Sequence, residues 1–77
     1  MKRFMLWGDV RWLNRRDEIN FSPIPKEKAL FTMADSEGGA RKNFQTRILL
    51  SIKERSPRNY PLRHHDIVLD YANLVAL

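Results

Sequence analysis

Two proline-containing segments divide this chain, and neither an α-helix nor a central β-strand can run through them. Residues 22–25 and 56–61 each contain two prolines, which lack the backbone N–H that both structures use. Regular structure is therefore confined to three stretches, one before, one between and one after these segments. Because the whole chain has only 77 residues, we expect one small domain over residues 1–77 with a thin hydrophobic core.

Four short apolar runs in the first half of the chain predict β-strands. They are residues 4–7, 10–13, 18–21 and 29–34. A Gly-Asp pair ends the first run, and Asn14 and Asp17 suit the two ends of a turn between the second and third runs. We expect residues 22–25 to be an extended connector and residues 35–39 to be a loop.

Residues 43–53 fit both a strand and a helix. Apolar residues occupy most even positions from Phe44 to Ile52, and only Leu49 breaks this alternation. A helix would instead gather the apolar residues other than Leu50 on one arc. The absence of a breaker and the good helix formers favour the helix, whereas the alternation and the preceding glycine-containing loop favour a strand of a hairpin. We predict the strand and keep the helix as the alternative.

The last stretch has the spacing of an amphipathic helix. Ile67, Tyr71, Leu74 and Val75 fall at i, i+4, i+7 and i+8, and Asp66 suits the positive end of a helix dipole. The sequence therefore predicts the α+β class: a small antiparallel sheet of three to five strands packed against one C-terminal helix. Such an arrangement has two layers, as a core of this size requires.

Positive charge is concentrated in residues 41–63, which carry seven Lys and Arg side chains against the carboxylate of Glu54. The whole chain has a formal net charge of +5. Such a zone attracts anions, and the planar guanidinium group of arginine suits phosphates. If residues 41–55 are extended, their odd positions form one polar face whose successive cations would contact successive phosphates. The alternative is an ordinary solvated outer face of a half-buried sheet.

From this zone we predict a face that binds RNA or single-stranded DNA, with an aromatic ring that stacks on an unpaired base. Its residues are Arg41, Arg47, Lys53, Arg55, Arg58, Tyr60 and Arg63. A second hypothesis is a small protein, of the kind encoded by phages or mobile elements, that binds an acidic surface of a partner protein and modulates it. An exposed Trp12 beside Arg11 would be its anchor, because Trp and Arg dominate interface hot spots.

We expect neither a catalytic site nor a metal site. The chain contains no cysteine, which excludes disulfides and thiolate metal ligands. His64 and His65 are adjacent, so their side chains diverge and cannot easily share one zinc ion. The catalytic alternative is a metal-free ribonuclease in which one of these histidines is the acid–base group and Arg63 or Lys53 holds the phosphate. We therefore predict a non-enzymatic binding module without a cofactor.

The apolar runs are too short for a membrane span, which needs about 18 apolar residues. The basic start of the chain, residues 1–3, is followed by only four apolar residues, too few for a signal peptide. We therefore expect a cytoplasmic protein without a membrane partner. Unblocked edge strands would also allow two copies to pair as a homodimer.

Overall fold

The computed structural model describes residues 1–59 and 62–77, and their fold is α+β, as predicted. Its strands and its α-helix, in chain order, are β1 (Lys2–Gly8), β2 (Arg11–Leu13), β3 (Ile19–Phe21), β4 (Leu30–Ala34), α1 (Glu37–Arg55), β5 (Ile67–Val68) and β6 (Ala72–Ala76). Single turns of 3₁₀ helix lie between them at Lys26–Lys28, Pro57–Asn59 and His64–Asp66. The strands form two antiparallel three-stranded sheets, with the orders β4-β1-β6 and β3-β2-β5.

The four strands predicted in the first half of the chain are present, and β1 and β2 follow one another in the chain as the central strands of the two sheets. The chain passes from one sheet to the other after Gly8, whose φ of +108° is in the region that favours glycine. The backbone of Gly8 exchanges hydrogen bonds of 2.8 and 2.9 Å with Ile24, and the Ser22 amide donates to the Val10 carbonyl. The connector at residues 22–25 therefore links the two sheets along one edge.

Residues 43–53 lie within α1, so the predicted strand is wrong and the helical alternative is correct. Ser36 begins the helix by accepting a 3.2 Å hydrogen bond from the Gly39 amide, which shortens the predicted loop. The buried residues of α1 are Ala40, Phe44, Ile48, Leu49 and Ile52. Leu50, which the helical pattern leaves outside, is 50% exposed. The helix is favoured here because its apolar side packs on the inner faces of the sheets and forms the second layer that buries them, which another strand in a sheet would not do.

Residues 67–76 include the two strands β5 and β6, so the predicted helix over the last stretch is wrong. β6 pairs with β1, and β5 pairs with β2, where Ile67 lies opposite Trp12. The predicted apolar helix face is split, since Ile67 is buried and Tyr71 is 60% exposed. The central strands have hydrogen-bonding groups on both edges, and pairing these groups outweighs the local helical spacing. The helix that packs against the sheets in this two-layer fold is therefore α1, and not a helix formed by the last stretch of the chain.

The hydrophobic core lies between α1 and the inner faces of the two sheets. The even-numbered residues Phe4, Leu6 and Trp12 of the central strands point inward and are buried. The odd-numbered residues point to the opposite side of the sheets, which we call the open face. Its residues from β1 and β2 are Arg3, Met5, Trp7, Arg11 and Leu13.

Candidate nucleic-acid interface

The cations of residues 41–63 do not lie on one strand face, because α1 distributes many of them around a helix. Successive residues turn by about 100°, so Arg47 and Lys53 are about 120° apart around the helix axis. Arg41 lies beside the β5–β6 connection, where its Nη2 atom is 2.8 Å from Oδ1 of Asp70. The predicted alignment of these cations is therefore wrong, and each must be placed separately.

Arg47 and Arg55 lie on the same edge of α1. Together with Ser51 they are spaced by four residues, which aligns the three side chains along the helix. Nη1 of Arg47 donates a 2.8 Å hydrogen bond to the carbonyl of Phe31 in β4, which holds the guanidinium group in place. Arg55 is exposed in the last turn, where its Nε atom is 3.4 Å from the Ser51 carbonyl.

The other predicted cations do not line this edge. Arg58 and Arg63 are exposed and border two separate clefts near the β2–β3 turn, each of which also contains Arg15 and carboxylate groups. Lys53 is exposed on another side of α1. Tyr60 lies outside the described residues. Among the predicted residues that the structure describes, Arg47 and Arg55 therefore lie together, and the others lie apart from them: Arg41, Lys53, Arg58 and Arg63.

A groove of about 600 Å³ runs between this edge of α1 and the chain that connects β3 to β4. Three cations line it, Lys28 on one side and Arg47 and Arg55 on the other, with the hydroxyl groups of Ser22 and Ser51. No carboxylate is among the described residues of its lining. We call this feature the basic groove, and its uncompensated charge suits an anionic ligand.

An exposed aromatic residue adjoins the basic groove. Phe21 is among the residues that line the groove, and its ring lies on the open face. The side chain is 62% exposed, and the guanidinium carbon of Arg11 is 5.3 Å from the centre of the ring. Neither Phe21 nor Lys28 is among the residues predicted from the sequence. Lys28 belongs to an acidic part of the chain, and an aromatic residue in an apolar strand is by default a core residue. The alternation of side-chain direction along β3 is the sequence signal that could have identified Phe21 as exposed.

Arg11 and Trp12 are on opposite faces of β2, as neighbours in a strand must be. Trp12 is 7% exposed and its Nε1 donates a 3.0 Å hydrogen bond to Oγ of Ser22, so the predicted exposed anchor is wrong. Arg11 lies on the open face, 2.8 Å from Oδ2 of Asp9 and 4.0 Å from the centre of the Tyr71 ring. The hydrogen bond to Asp9 raises the pKa of Arg11 further above its ordinary value. The guanidinium group is therefore permanently charged.

The open face carries most of the exposed apolar surface of the described residues. Nine large apolar side chains are exposed in that part of the chain, and seven of them lie on this face: Ile19, Phe21, Phe31, Met33, Tyr71, Val75 and Leu77. Arg3 is 4.7 Å from the ring centre of Phe31, and Lys26 is 5.1 Å from that of Trp7. With the two contacts of Arg11, the described residues make four cation–π contacts, where about one is typical of this length.

The two histidines contact different groups. Nε2 of His64 is 2.7 Å from Oγ1 of Thr46, and Nε2 of His65 is 3.6 Å from Oδ1 of Asp66. Within residues 1–59 and 62–77, no three or more His, Asp or Glu side chains are grouped so that they could hold a metal ion. In the same residues, no helix combines the length and the apolar character needed to cross a membrane.

Comparison with known proteins assigns no family. No protein-family model matches the chain, and no curated protein or solved structure is significantly similar to it.

Proposed function

We propose that the protein binds single-stranded nucleic acid along the basic groove. One observation supports this above all: Lys28, Arg47 and Arg55 come from two different elements and line one groove, and no carboxylate is among the described lining residues. A phosphate backbone that is neutralised by such cations releases its counterions, and this release favours binding. Phe21 adjoins the groove, and its exposed ring on the open face provides a surface on which an unpaired base of a strand leaving the groove can stack.

The spacing of the cations suits an extended polymer better than a small anion. Eight residues separate Arg47 from Arg55, which places them about 12 Å apart along the helix axis. Side chains at that separation contact different phosphates rather than converge on one. The groove is also lined by Ile24, Leu30 and Ile48, and these apolar side chains suit the sugars and bases of an unpaired strand.

Fluorescence anisotropy of a labelled single-stranded oligonucleotide over a series of salt concentrations tests this proposal. The logarithm of the affinity is expected to fall linearly with the logarithm of the salt concentration, by about 0.7 for each phosphate contacted. Lys28→Ala/Arg55→Ala removes two contacts and is expected to reduce the slope by about 1.4. Lys42→Ala is the matched control, because it removes a cation from the far side of α1 and is expected to leave the slope unchanged.

Phe21→Ala separates base stacking from charge. Because the ring is largely exposed, its loss is expected to spare the fold and to weaken oligonucleotide binding by about 1–3 kcal/mol with little change in the salt slope. Heparin, a polyanion without bases, is expected to bind wild type and Phe21→Ala alike. No oligonucleotide binding at low salt, or an affinity that ignores salt, would exclude the function. Unchanged binding by the Lys28→Ala/Arg55→Ala variant would exclude the groove as its site.

A second candidate function is the binding of a partner protein by the open face. This face combines aromatic residues, Met and Arg, the types that are enriched at protein interfaces, and it holds seven of the nine exposed large apolar side chains of the described residues. Its cations include Arg3, Arg11 and Lys26, and the carboxylate of Asp9 already pairs with Arg11. The face therefore suits an apolar partner surface that also carries acidic groups.

A pair of variants distinguishes this second function from the first. Phe31→Ser/Met33→Ser removes exposed apolar groups from the open face, and Leu50→Ser removes one from α1 as a control. A partner that wild type and Leu50→Ser both bind in purified form, but Phe31→Ser/Met33→Ser does not, would support the second function. Oligonucleotide binding in the basic groove is expected to be the same for all three proteins.

A further inference from the structure

Side chains of α1 block one outward edge in each of the two sheets. In β4, the carbonyls of Phe31 and Met33 point away from β1 and accept hydrogen bonds of 2.8 Å from Arg47 and 3.2 Å from Asn43. In β5, the carbonyl of the first residue accepts a 3.1 Å hydrogen bond from Gln45. Such cover prevents another strand from pairing with an exposed edge.

The edge of β6 has no such cover in the described part of the chain. The Leu77 amide donates a 2.8 Å hydrogen bond to the Arg3 carbonyl, which fixes the hydrogen-bonded pairs of β1 and β6. The alternate residues Leu74 and Ala76 therefore turn their N–H and C=O groups away from β1. Among residues 1–59 and 62–77, no side chain or backbone group bonds to these outward groups. They form a template for a further strand.

The composition of this edge permits the close approach of an identical molecule. Residues 71–77 contain no charged side chain and no proline, although the chain has a net charge of +5. Edge strands are usually protected by charges, by proline, by a bulge or by a covering element. Val75 and Leu77 are 40% and 63% exposed on the open face along this edge. The side chains along the β6 edge are therefore uncharged and partly apolar, on a basic protein.

We propose that β6 pairs with β6 of a second copy of this chain, antiparallel and around a two-fold axis at Leu74. In this register the two Leu74 residues exchange two backbone hydrogen bonds. On the open face, Val75 lies opposite Asn73 of the other copy, and Leu77 lies opposite Tyr71. The same edge serves both partners, as a two-fold interface requires. The β4-β1-β6 sheets of the two copies join into one six-stranded sheet.

Sedimentation equilibrium from low micromolar to sub-millimolar concentration tests the dimer. Wild type is expected to approach twice the 9.2 kDa mass of the chain. Val75→Lys places a charge on the edge and is expected to abolish dimerisation, whereas Leu50→Lys adds the same charge on α1 and is expected to have no effect. A wild-type protein that stays monomeric over this range would overturn the proposal.

Salt separates this proposal from the nucleic-acid function, on which it does not depend. Screening reduces the repulsion between two chains of net charge +5, so dimerisation is expected to strengthen as salt rises. Oligonucleotide binding is expected to weaken over the same range. Each of the two properties can therefore fail while the other is observed.

Two further measurements test the position of the interface. The Leu74 amide is expected to exchange slowly with solvent at high protein concentration and rapidly in the Val75→Lys variant. The chain contains no cysteine, so a mixture of Asn73→Cys and Val75→Cys chains is expected to form a disulfide-linked dimer under mild oxidation, whereas each variant alone is not. A dimer with a rapidly exchanging Leu74 amide, or a mixture that does not cross-link, would show that β6 is not the interface.

Discussion

Replacing Gly8 with alanine is expected to destabilise the protein at the point where the chain passes from one sheet to the other. The φ of +108° at Gly8 is a conformation that an L-residue adopts only with strain. An alanine Cβ atom would lie 2.7 Å from Nδ2 of Asn73, which is closer than van der Waals contact allows. The Asn73 side chain would have to move and lose its 3.4 Å hydrogen bond to the Trp7 carbonyl.

The size of the effect follows from opposing contributions. Backbone strain of this kind costs about 1–3 kcal/mol, and the loss of one exposed hydrogen bond adds about 0.5 kcal/mol. Alanine also restricts the unfolded chain, which offsets about 0.4–1 kcal/mol. The free energy of unfolding is therefore expected to fall by about 2 kcal/mol. That is a large share of the about 4–12 kcal/mol expected for a chain of 77 residues.

Urea denaturation and thermal melting, followed by tryptophan fluorescence, measure this change. The melting temperature of Gly8→Ala is expected to fall by about 8–16 °C, at about 4–8 °C for each kcal/mol. Gly38→Ala is the matched control, because a Cβ atom there meets Oγ of Ser36 at 3.9 Å and nothing closer. In α1 this substitution is expected to stabilise the protein by about 0.5–1 kcal/mol. Equal stability of Gly8→Ala and wild type would show that the backbone does not require glycine at this position.

Three other substitutions test separate contacts of the fold, each by urea denaturation. Ser36→Ala removes the N-terminal cap of α1 and is expected to cost about 1 kcal/mol, and no loss would show that the cap is not formed. Trp12→Phe leaves Ser22 without its buried donor and is expected to cost about 1–2 kcal/mol, so an unchanged midpoint would count against that hydrogen bond. Arg41→Ala breaks the exposed pair with Asp70 and is expected to cost less than about 1 kcal/mol, so a larger loss would contradict a surface role.

The first half of the chain was predictable because its signals are local. The turn before β3 forms as expected, since Oδ1 of Asn14 accepts hydrogen bonds of 2.9 and 3.0 Å from the amides of Arg16 and Glu18. Asp17 adopts a φ of +58°, which Asp tolerates better than most residues. Turn residues and short apolar runs therefore carry enough information to place these strands.

The second half was not predictable in the same way, because a spacing of four residues fits both kinds of structure. Phe44, Ile48 and Ile52 share a face in a strand, where the period is two, and also in a helix, where it is 3.6. Leu49 and Leu50 distinguish the helix from the strand. Leu49 is 8% exposed and Leu50 is 50% exposed, as a helix requires, whereas a strand that buries Phe44 and Ile48 would bury Leu50 and expose Leu49. The same ambiguity affects residues 67–75, and there the decision comes from pairing with β1, which is distant in sequence.

The positive charge of the candidate site could be predicted from the sequence, but the three-dimensional grouping of its side chains could not. The sequence shows that residues 41–63 are basic, and the structure then divides their cations between several surfaces. The basic groove takes Arg47 and Arg55 from this zone but Lys28 and Phe21 from a segment that is acidic overall. Proximity across the groove depends on the packing of α1 against the β3–β4 connection, and no local spacing in the sequence encodes that packing.

The edge of α1 that carries Asn43 and Arg47 has a further consequence for assembly. Two copies joined through β6 form a closed pair only while β4, the other edge of each sheet, remains blocked. Asn43→Ala/Arg47→Ala frees the carbonyls of Phe31 and Met33, so that both edges of each sheet can accept a strand. This variant is expected to form open-ended assemblies whose mass in light scattering keeps rising with concentration, whereas wild type stops at two chains. A variant that keeps the wild-type mass would show that these two side chains do not protect β4.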